Sequence, residues 1–360
     1  MSEMYQCPAC ASALLFDAEK QKMLCRSCGN EYAVEDIRQM ADIEKQVNRV
    51  EKADWDGMTT GNTWTEEDNG RVRMYRCPSC GCEIVAEADQ AAGSCVYCGN
   101  PLVMGDALVG MAKPDYVIPF SQAKDQVTER YKAYIKKKKL LPSSFAAMNK
   151  VEEIKGVYVP FWLFDCATSS DAVWRGTKVS SRRQGNYQVT TTKHYLVRRG
   201  GTLDFANLPV DASGRMDDVI MESVEPFDPA DKKTFALPYL SGFGAQKADI
   251  SAQQARPRAD QRIRTSVEQA LRSTVMGYTS LTLQKCAVDI NQSAAREVMM
   301  PVWLLNTRFK DKVYTFAMNG QTGRFIGNLP VSFGKALLWF FGIAGGLSAI
   351  LLVLINLILK

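Results

Sequence analysis

The chain has 360 residues, of which 46% are apolar and 23% are charged, and its formal net charge at pH 7 is +5. This composition is typical of folded proteins and excludes a disordered or collagen-like chain. The length allows one or two hydrophobic cores beside smaller modules. A net charge of only +5 gives no overall signal for a nucleic-acid-binding protein.

Eight of the eleven cysteines form two copies of one motif, in which two CxxC pairs are separated by fourteen residues. The cysteines of the two copies are Cys7, Cys10, Cys25 and Cys28, and Cys77, Cys80, Cys95 and Cys98. Two CxxC pairs at about this spacing are typical of a zinc site with four thiolate ligands. We therefore predict two zinc ribbons, at residues 1–34 and 71–110, with one structural Zn²⁺ in each. Four thiolates complete the coordination of zinc, so neither ion is expected to be catalytic.

Disulfides and a thioredoxin-like redox pair are the alternatives for these cysteines. Disulfides need an oxidising compartment, and the N-terminus shows no secretory signal. A redox CxxC motif is expected near a βαβ pattern, which the first 100 residues lack. Cys82 lies beside the second motif, but its counterpart in the first is Ser12, so we predict that Cys82 is no ligand.

The C-terminal segment 335–359 predicts a single transmembrane helix. Residues Ala336–Leu359 carry no charge, and as a helix they would be about 36 Å long, against a hydrocarbon core of about 30 Å. A buried core helix is disfavoured because the segment is apolar on all faces. Because only Lys360 follows, we predict a tail-anchored protein of the cell membrane. The cysteine-rich N-terminal part would lie in the reducing cytoplasm.

Two glycines inside this segment, Gly342 and Gly346, have the GxxxG spacing. Small residues at this spacing let two transmembrane helices approach closely. They predict a contact with a membrane protein partner or with a second copy of the chain.

Residues 35–70 are interpreted as a helical spacer, over 35–55, followed by a polar loop over 57–70. The body, 111–330, is predicted to be α+β, with helical patterns over 121–140 and 259–278. Each helix is followed by Pro-x-Trp-Leu in an apolar strand, at Pro160–Leu163 and Pro301–Leu304. We interpret these as possible repeats, 113–200 and 255–330, each a helix packed on an antiparallel sheet.

Basic residues cluster in the run Lys136, Lys137, Lys138 and Lys139, and in the pairs Arg182-Arg183 and Arg198-Arg199. Such clusters can neutralise nucleic-acid phosphates, attract anionic lipids, or serve as a solvated helix end. In a membrane-anchored chain with a small net charge, the last two interpretations are favoured.

The sequence predicts no enzymatic activity. Its single histidine, His194, lies in a β-like run, and no nucleophile-elbow, HExxH or P-loop motif is present. Cys166 and Cys286 have no base beside them in the sequence and are interpreted as small core residues. Asp165 has no partner that the sequence reveals.

The complete layout resembles the YdjG-like family of bacterial zinc-ribbon membrane proteins. The resemblance is carried by the paired CPxC and CxxCGN motifs, by PFWLFD at 160–165, and by PVWLLNTRFKDKVYTFAMNGQTGRFIGNLP at 301–330. Members are often labelled as phage-replication, primosomal or TFIIB-type proteins, but those labels rest on the ribbon, which unrelated proteins share.

The resemblance implies a setting in the envelope stress response, with phage-shock-protein-A-like or flotillin-like partners. We therefore expect a non-enzymatic, cytosol-facing membrane adapter that docks partner proteins at the bilayer. The alternative is a membrane-tethered zinc-ribbon protein that binds nucleic acid.

Overall fold

The structure, a computed structural model, describes residues 5–55, 62–88, 93–109, 111–147, 154–215, 218–310 and 312–358. Over these residues the chain has seven α-helices. They are α1 Val34–Val47, α2 Glu66–Arg71, α3 Lys124–Lys136, α4 Ser143–Ala147, α5 Asp218–Val224, α6 Ala252–Ser273 and α7 Phe333–Ile358. Short 3-10 turns at Pro229–Asp231 and Leu237–Leu240 complete the helical elements.

The same residues form sixteen strands, three of which have 25 residues or more. The strands of the N-terminal third are β1 Leu14–Asp17, β2 Lys22–Cys25, β3 Glu31–Tyr32, β4 Asn62–Thr63, β5 Val72–Arg76, β6 Glu83–Glu87, β7 Val103–Met104, β8 Ala112–Lys113 and β9 Tyr116–Val117. The remaining strands are β10 Lys155–Gln184, β11 Tyr187–Asp211, β12 Lys233–Thr234, β13 Gly244–Gln246, β14 Ser280–Phe309, β15 Lys312–Asn319 and β16 Phe325–Gly327.

The strands form three sheets. Strands β1, β2 and β3 make a small antiparallel sheet, and β4 pairs with β8. The large sheet has eleven strands, with the path β12-β9-β14-β10-β13-β6-β5-β7, and β11, β15 and β16 pair beside it. The predicted α+β fold, with two N-terminal four-cysteine modules and one apolar C-terminal helix, is confirmed.

The chain divides into two compact units. One contains residues 1–58, 164–208 and 256–295, and the other contains 59–163, 209–255 and 296–360. In the second unit, the start of β10 is buried almost continuously from Val157 to Leu163, as expected for a central strand covered on both faces. Each fully buried large apolar side chain contributes roughly 1.5–3 kcal/mol to stability. Phe161, Met221 and Val302 belong to the main cluster of this core.

One short helix lies where the sequence analysis predicted a loop. Helix α2 begins after Thr65, whose hydroxyl accepts the backbone N–H of Asp68 while the Asp68 carboxylate accepts the N–H of Thr65. This reciprocal capping box satisfies two backbone donors that a helix start leaves unpaired. The loop prediction is therefore wrong over Glu66–Gly70 and over Asn62–Thr63, which form β4. Residues 57–61 of the predicted loop lie outside the described residues.

The two Pro-x-Trp-Leu segments make matching side-chain contacts. The indole N–H of Trp162 donates to the carbonyl of Ile250 over 2.8 Å, and that of Trp303 donates to the carbonyl of Gln122 over 3.1 Å. Ile250 and Gln122 each lie two residues before a helix, α6 and α3 respectively. Each tryptophan thus holds the start of the helix that precedes the other Pro-x-Trp-Leu segment.

The backbone around the two tryptophans matches as well. The N–H of Ala212 donates to the carbonyl of Pro160, and the N–H of Gly320 donates to that of Pro301. The carbonyls of Ala212 and Gly320 then each accept two N–H groups, from residues 249–250 and 121–122 respectively. These contacts extend past the predicted limits of the repeats, 113–200 and 255–330, because they include Ala212 and residues 249–250.

The strands also pair between the two segments, as the tryptophan contacts do. The short strand β9 lies parallel to β14, with Tyr116 opposite Val298, and β13 lies parallel to β10, with Gly244 opposite Val157. Tyr116 lies six residues before Gln122, and Gly244 lies six residues before Ile250. The strand pairs and the tryptophan contacts therefore recur at the same spacing along the chain. The two strand–helix–strand segments are therefore interlocked, and each supplies the short strand beside the long strand of the other.

Candidate metal centres

Four tight turns hold the eight predicted cysteine ligands, and all four have the same backbone hydrogen bonds. In the first pair, the N–H of Cys7 donates to the carbonyl of Ser12 and the N–H of Ala11 donates to the carbonyl of Cys7. The turns that begin at Cys25, Cys77 and Cys95 repeat both bonds at the same spacings. Each turn therefore presents two thiols on one side of a short loop, which is the geometry that one metal ion needs.

The residue after the second cysteine of each turn has a positive φ. Three of these residues are glycines, Gly29, Gly81 and Gly99, with φ between 72° and 77°, and the fourth is Ala11 with φ of 61°. Glycine adopts this conformation at little cost, whereas a Cβ atom makes it unfavourable. Three of the four turns thus use glycine at this position, and in the fourth Ala11 adopts the same conformation at some cost in strain.

The thiols within each motif converge. The Sγ atoms of each set of four lie within 4.8 Å of one another. In the first set Cys7 and Cys28 are 3.6 Å apart, and Cys10 and Cys25 are 3.4 Å apart. A tetrahedral metal with bonds of about 2.3 Å to sulfur would place its ligands about 3.8 Å apart, so the residues fit a four-coordinate ion.

The second set has the same geometry. Cys77 and Cys98 are 3.4 Å apart and Cys80 and Cys95 are 3.6 Å apart at sulfur. All eight cysteines are free thiols, and their sulfur atoms are too far apart for a disulfide bond. The structure therefore brings together both predicted ligand sets as two groups that could hold a metal ion.

The first centre is packed against the helix that follows it. Cys7 and Cys25 are buried with Leu14, Met23 and Ile37 in one small cluster, to which α1 contributes Ile37. The phenol oxygen of Tyr32 lies 3.4 Å from the Cys7 sulfur. This hydrogen bond would orient the ligand from the second coordination shell.

The second centre is built into the large sheet. Strand β6 of the ribbon pairs antiparallel with β13, with Val85 opposite Ala245. The Asn306 side-chain amide donates to the carbonyls of Val96 and Tyr97, over 2.8 Å each, and so holds the turn between Cys95 and Cys98. The second ribbon therefore forms one edge of the large sheet, and its cysteine turn is held by a residue far away in the sequence.

Arg215 fixes the other turn of the second ribbon. Its guanidinium donates to the carbonyls of Cys80, over 2.6 Å, and Gly81, over 3.3 Å, and forms an ion pair with Asp249 over 3.0 Å. Replacing Arg215 with Ala is expected to leave the ligands in place but to speed metal release from this centre about tenfold, because an oriented outer contact typically changes metal affinity 10- to 100-fold.

Release of metal to a chromogenic chelator, followed over time, measures this effect. Two kinetic phases of equal amplitude are expected, and only one of them should accelerate in Arg215→Ala. Arg26→Ala is the matched control, since Arg26 follows Cys25 in the first ribbon. Acceleration of both phases, or of neither, would contradict the assignment of Arg215 to the second centre.

Cys82 lies outside the second ligand group, as predicted. It is fully buried beside Cys95. Its hydrogen bond to Cys95, together with burial, raises the pKa of the Cys82 thiol, while the same bond lowers the pKa of Cys95 to about 4. Cys82 is therefore placed to donate its proton to the sulfur of a ligand, a contact that the sequence did not reveal.

Four other residues were considered in the sequence analysis: Cys166, Cys286, Asp165 and His194. Cys166 is buried, and burial raises the pKa of both Cys166 and Cys286 to about 11. The Asp165 carboxylate accepts the backbone N–H of Asn207, a residue with positive φ, over 2.6 Å. His194 is half-buried, and its Nδ1 has no hydrogen-bond partner among the described residues.

A cavity of about 830 Å³ lies beside the second ribbon and was not predicted. Its lining is mostly apolar and includes Val96, Leu102, Phe120, Phe243 and Trp303. The rings of Phe120 and Phe243 are stacked, with centroids 4.2 Å apart. The residues that form it come from five separate segments, so no local pattern in the sequence could have indicated it.

Helix α7 is long and apolar enough to cross a membrane, with a mean hydropathy of 2.4 over its most apolar window. Its side chains in that window are not buried by the described part of the chain. A Cβ atom added at Gly342 or Gly346 would meet nothing within 4 Å. Leu359, the last residue of the predicted segment 335–359, lies outside the described residues.

The lysine run lies beside the start of α7. Lys136 ends α3, and the run continues as an exposed turn through Lys139. The ammonium group of Lys139 lies 4.7 Å from the centre of the Trp339 ring, and that of Lys138 lies 4.5 Å from the centre of the Tyr134 ring. The sequence predicted this cluster but gave no indication of its contact with the helix.

Comparison with known proteins gives one full-length relative. The chain is 31% identical over 342 residues to a protein of Bacillus subtilis (strain 168) named "Uncharacterized protein YdjG", and the match covers 95% of this chain and 94% of that protein. No protein-family model and no solved structure matches. The similarity extends over the ribbons, the body and the C-terminal helix, and on this evidence the chain belongs to the YdjG family.

Proposed function

We propose that this protein is a non-enzymatic membrane adapter, with two zinc-stabilised ribbons and an α+β body that dock partner proteins at the bilayer. The observation that carries the proposal is the pair of four-thiolate centres. Four thiolates leave no open position for a substrate, so these centres support folding rather than chemistry. The second ribbon is paired into the large sheet of the unit that also contains α7, which favours a fixed scaffold on a membrane anchor.

Zinc is the proposed metal in both centres. A tetrahedral set of four thiolates suits Zn²⁺ and also iron. Metal analysis by plasma mass spectrometry, on protein purified without added metal, is expected to give two zinc ions per chain. Two iron ions, with the visible absorption that iron–thiolate centres have, would show that the proposed metal is wrong.

Helix α7 is the proposed membrane anchor, with the ribbons on the cytoplasmic side. Its 26 residues give a length of about 39 Å, which spans a hydrocarbon core of about 30 Å with some tilt. Gly342 and Gly346 present an open face along which a second helix could pack, from a membrane partner or from another copy. The thiols of the ribbons would be kept reduced in the cytoplasm and so available to metal.

The proposed setting is the envelope stress response, with partners similar to phage shock protein A or to flotillins. The full chain would be solubilised from its native membranes after mild crosslinking, and the co-purifying proteins identified. We expect specific membrane or stress-scaffold proteins that survive nuclease treatment. Recovery of nucleic acid, or of proteins that disappear after nuclease treatment, would contradict the adapter.

Two full-length variants would locate the docking surface. Cys25→Ser removes a ligand of the first ribbon, and Gly342→Leu with Gly346→Leu fills the open face of α7. A partner lost only in the first variant would bind the ribbon, and one lost only in the second would bind the membrane helix.

A second candidate function, nucleic-acid binding, is favoured by one feature of the first unit. The tips of β10 and β11 form an arm, residues 178–193, in which every residue is exposed. Between Asp171 and Asp204 the sequence has seven Arg and Lys residues and no acidic residue. A basic two-stranded ribbon can enter the major groove of DNA.

If the arm binds nucleic acid, removing its arginines should weaken the salt dependence of DNA binding. The full chain in nanodiscs of phosphatidylcholine would be titrated with a fluorescent 20-base-pair duplex at several salt concentrations. Arg182→Gln with Arg183→Gln is expected to reduce the slope of log K against log salt by about 1.8, because each phosphate contact contributes about 0.9. Lys20→Gln with Lys22→Gln, which removes an equal charge paired with Glu31, is the control. Absence of binding at 50 mM salt would dispose of the candidate.

A further inference from the structure

Five lysines lie in the two segments that meet at the start of the apolar helix α7. We call them the lysine collar: Lys136, Lys137, Lys138, Lys139 and Lys335. The first four are exposed, and Lys335 is half-buried. The sequence could not place the first four beside the last, because almost 200 residues separate them.

Backbone and side-chain contacts hold the collar against the helix. The N–H of Ser332, one residue before α7, donates to the carbonyl of Leu140 over 2.8 Å. The ammonium group of Lys335 donates to the carbonyl of Leu141 over 2.7 Å. Lys139 lies over the ring of Trp339, two helical turns into α7. The position of the lysine turn is therefore fixed relative to the start of the apolar segment.

Negative charge is lacking in both of the segments that meet here. The sequence contains no acidic residue from Arg130 to Val151 and none after Asp311. Among the described residues, none of the four lysines of the run forms an ion pair. Within the described part of the chain no carboxylate neutralises these cations, which leaves them exposed to an external anion.

We propose that the lysine collar binds the headgroups of anionic phospholipids at the membrane surface. This inference rests on the proposed function, because it requires α7 to span the bilayer. A tryptophan near the end of a spanning helix lies at the headgroup level, so contact with Trp339 places Lys139 at that depth. Lysines within a Debye length of an anionic surface are attracted to it, and this length is about 8 Å at physiological ionic strength.

Lipid is favoured over nucleic acid as the anion because of this depth. A duplex could reach the collar only at the bilayer surface, where an anionic membrane would repel it. Lipid headgroups, in contrast, are always present at the start of a spanning helix. The collar would also fix the rotation and height of the body on the membrane, since Leu140 and Leu141 connect it to the backbone of the second unit.

Lipid selectivity of the full chain tests the proposal. The protein would be reconstituted in phosphatidylcholine vesicles, and the association of spin-labelled phosphatidylglycerol and phosphatidylcholine with it compared by electron paramagnetic resonance. The wild type is expected to prefer phosphatidylglycerol about fivefold, the ratio that corresponds to ~1 kcal/mol per lysine contact. The preference should disappear in Lys136→Gln, Lys137→Gln, Lys138→Gln, Lys139→Gln and should fall with added salt.

Two matched variants distinguish the effect of positive charge in the lysine collar from that of positive charge elsewhere in the protein. Replacing the same four lysines with Arg should keep the preference. Replacing Lys178, Arg182, Arg183 and Lys193 of the exposed arm with Gln removes the same net charge and should also keep it. Equal preference in the wild type and in the collar Gln variant would overturn the proposal.

Three further outcomes would also overturn it, and together they distinguish its failure from a failure of the adapter function. Loss of duplex DNA binding in the collar Gln variant, with unchanged lipid preference, would assign the collar to nucleic acid. Extraction of the wild-type chain from vesicles by alkaline carbonate would show that α7 does not span, and would remove the basis of both proposals. Retained insertion with an intact adapter complex but no lipid preference would reject the collar alone.

Discussion

Replacing Cys25 with Ser is expected to reduce the bound metal from two ions per chain to one and to unfold the first ribbon. Structural zinc contributes an apparent ~10–16 kcal/mol to the folding of small metal modules. Among the described residues, the hydrophobic cluster of this ribbon has five buried members, two of which are the ligands Cys7 and Cys25. Such a core cannot replace the metal, because modules of this size rarely gain more than about 3–5 kcal/mol from their core.

Metal analysis and hydrogen exchange would measure the two parts of this result. Residues 5–33 should lose protection in Cys25→Ser, while the second ribbon keeps its metal and the chain stays in the membrane fraction. Cys82→Ala and Cys166→Ala are the controls, since both replace a buried thiol outside the ligand groups. Two metal ions per chain in Cys25→Ser, or one in Cys82→Ala, would show that the ligand assignment is wrong.

The two metal centres and the C-terminal helix could be predicted from the sequence because their signals are local. A four-cysteine module is defined by spacings of two and fourteen residues, and three of the four turns are also marked by the glycine that follows the second cysteine. The helix is defined by a continuous apolar segment. Neither prediction depends on how distant parts of the chain meet.

Helix α2 was missed although its signal was present. Thr65, followed three residues later by Asp68, is a capping pattern, and three acidic residues fill the first turn of the helix. Polar residues and Gly70 favoured a loop instead. Six residues make a helix too short for an apolar stripe, so periodicity could not reveal it.

The interlocking of the two strand–helix–strand segments could not be predicted. The repeated Pro-x-Trp-Leu pattern indicated a resemblance between the two halves of the body, but a repeat pattern is silent on whether each strand pairs within its own copy. Here β9 pairs with β14 and β13 pairs with β10, so the partners lie far apart in the sequence. For the same reason, no local pattern indicated that β6 of the second ribbon would extend the large sheet.

Replacing Glu297 with Gln is expected to stabilise the second unit by up to ~3 kcal/mol at pH 8 and to have almost no effect below pH 4.5. Glu297 is only 5% exposed, and burial, with a smaller effect of the Asp115 carboxylate, raises its pKa from 4.5 to about 7. The folded state therefore holds this proton more tightly than the unfolded state does. The wild-type protein therefore has its full stability below pH 4.5, where the carboxyl is protonated in both the folded and the unfolded state. It loses this stability as the pH rises through 7 and the buried carboxyl must ionise.

Glutamine keeps the shape of glutamate and carries no charge at any pH, so it removes the cost of a buried carboxylate. The free energy of unfolding of the full chain in detergent would be measured with urea at pH 5.5, 7 and 8. The metal centres have their own pH dependence, but it is common to both proteins and cancels in the difference between wild type and variant. Glu67→Gln, the same change at an exposed position, is the control. A difference that does not grow between pH 5.5 and 8 would show that Glu297 does not titrate in this range.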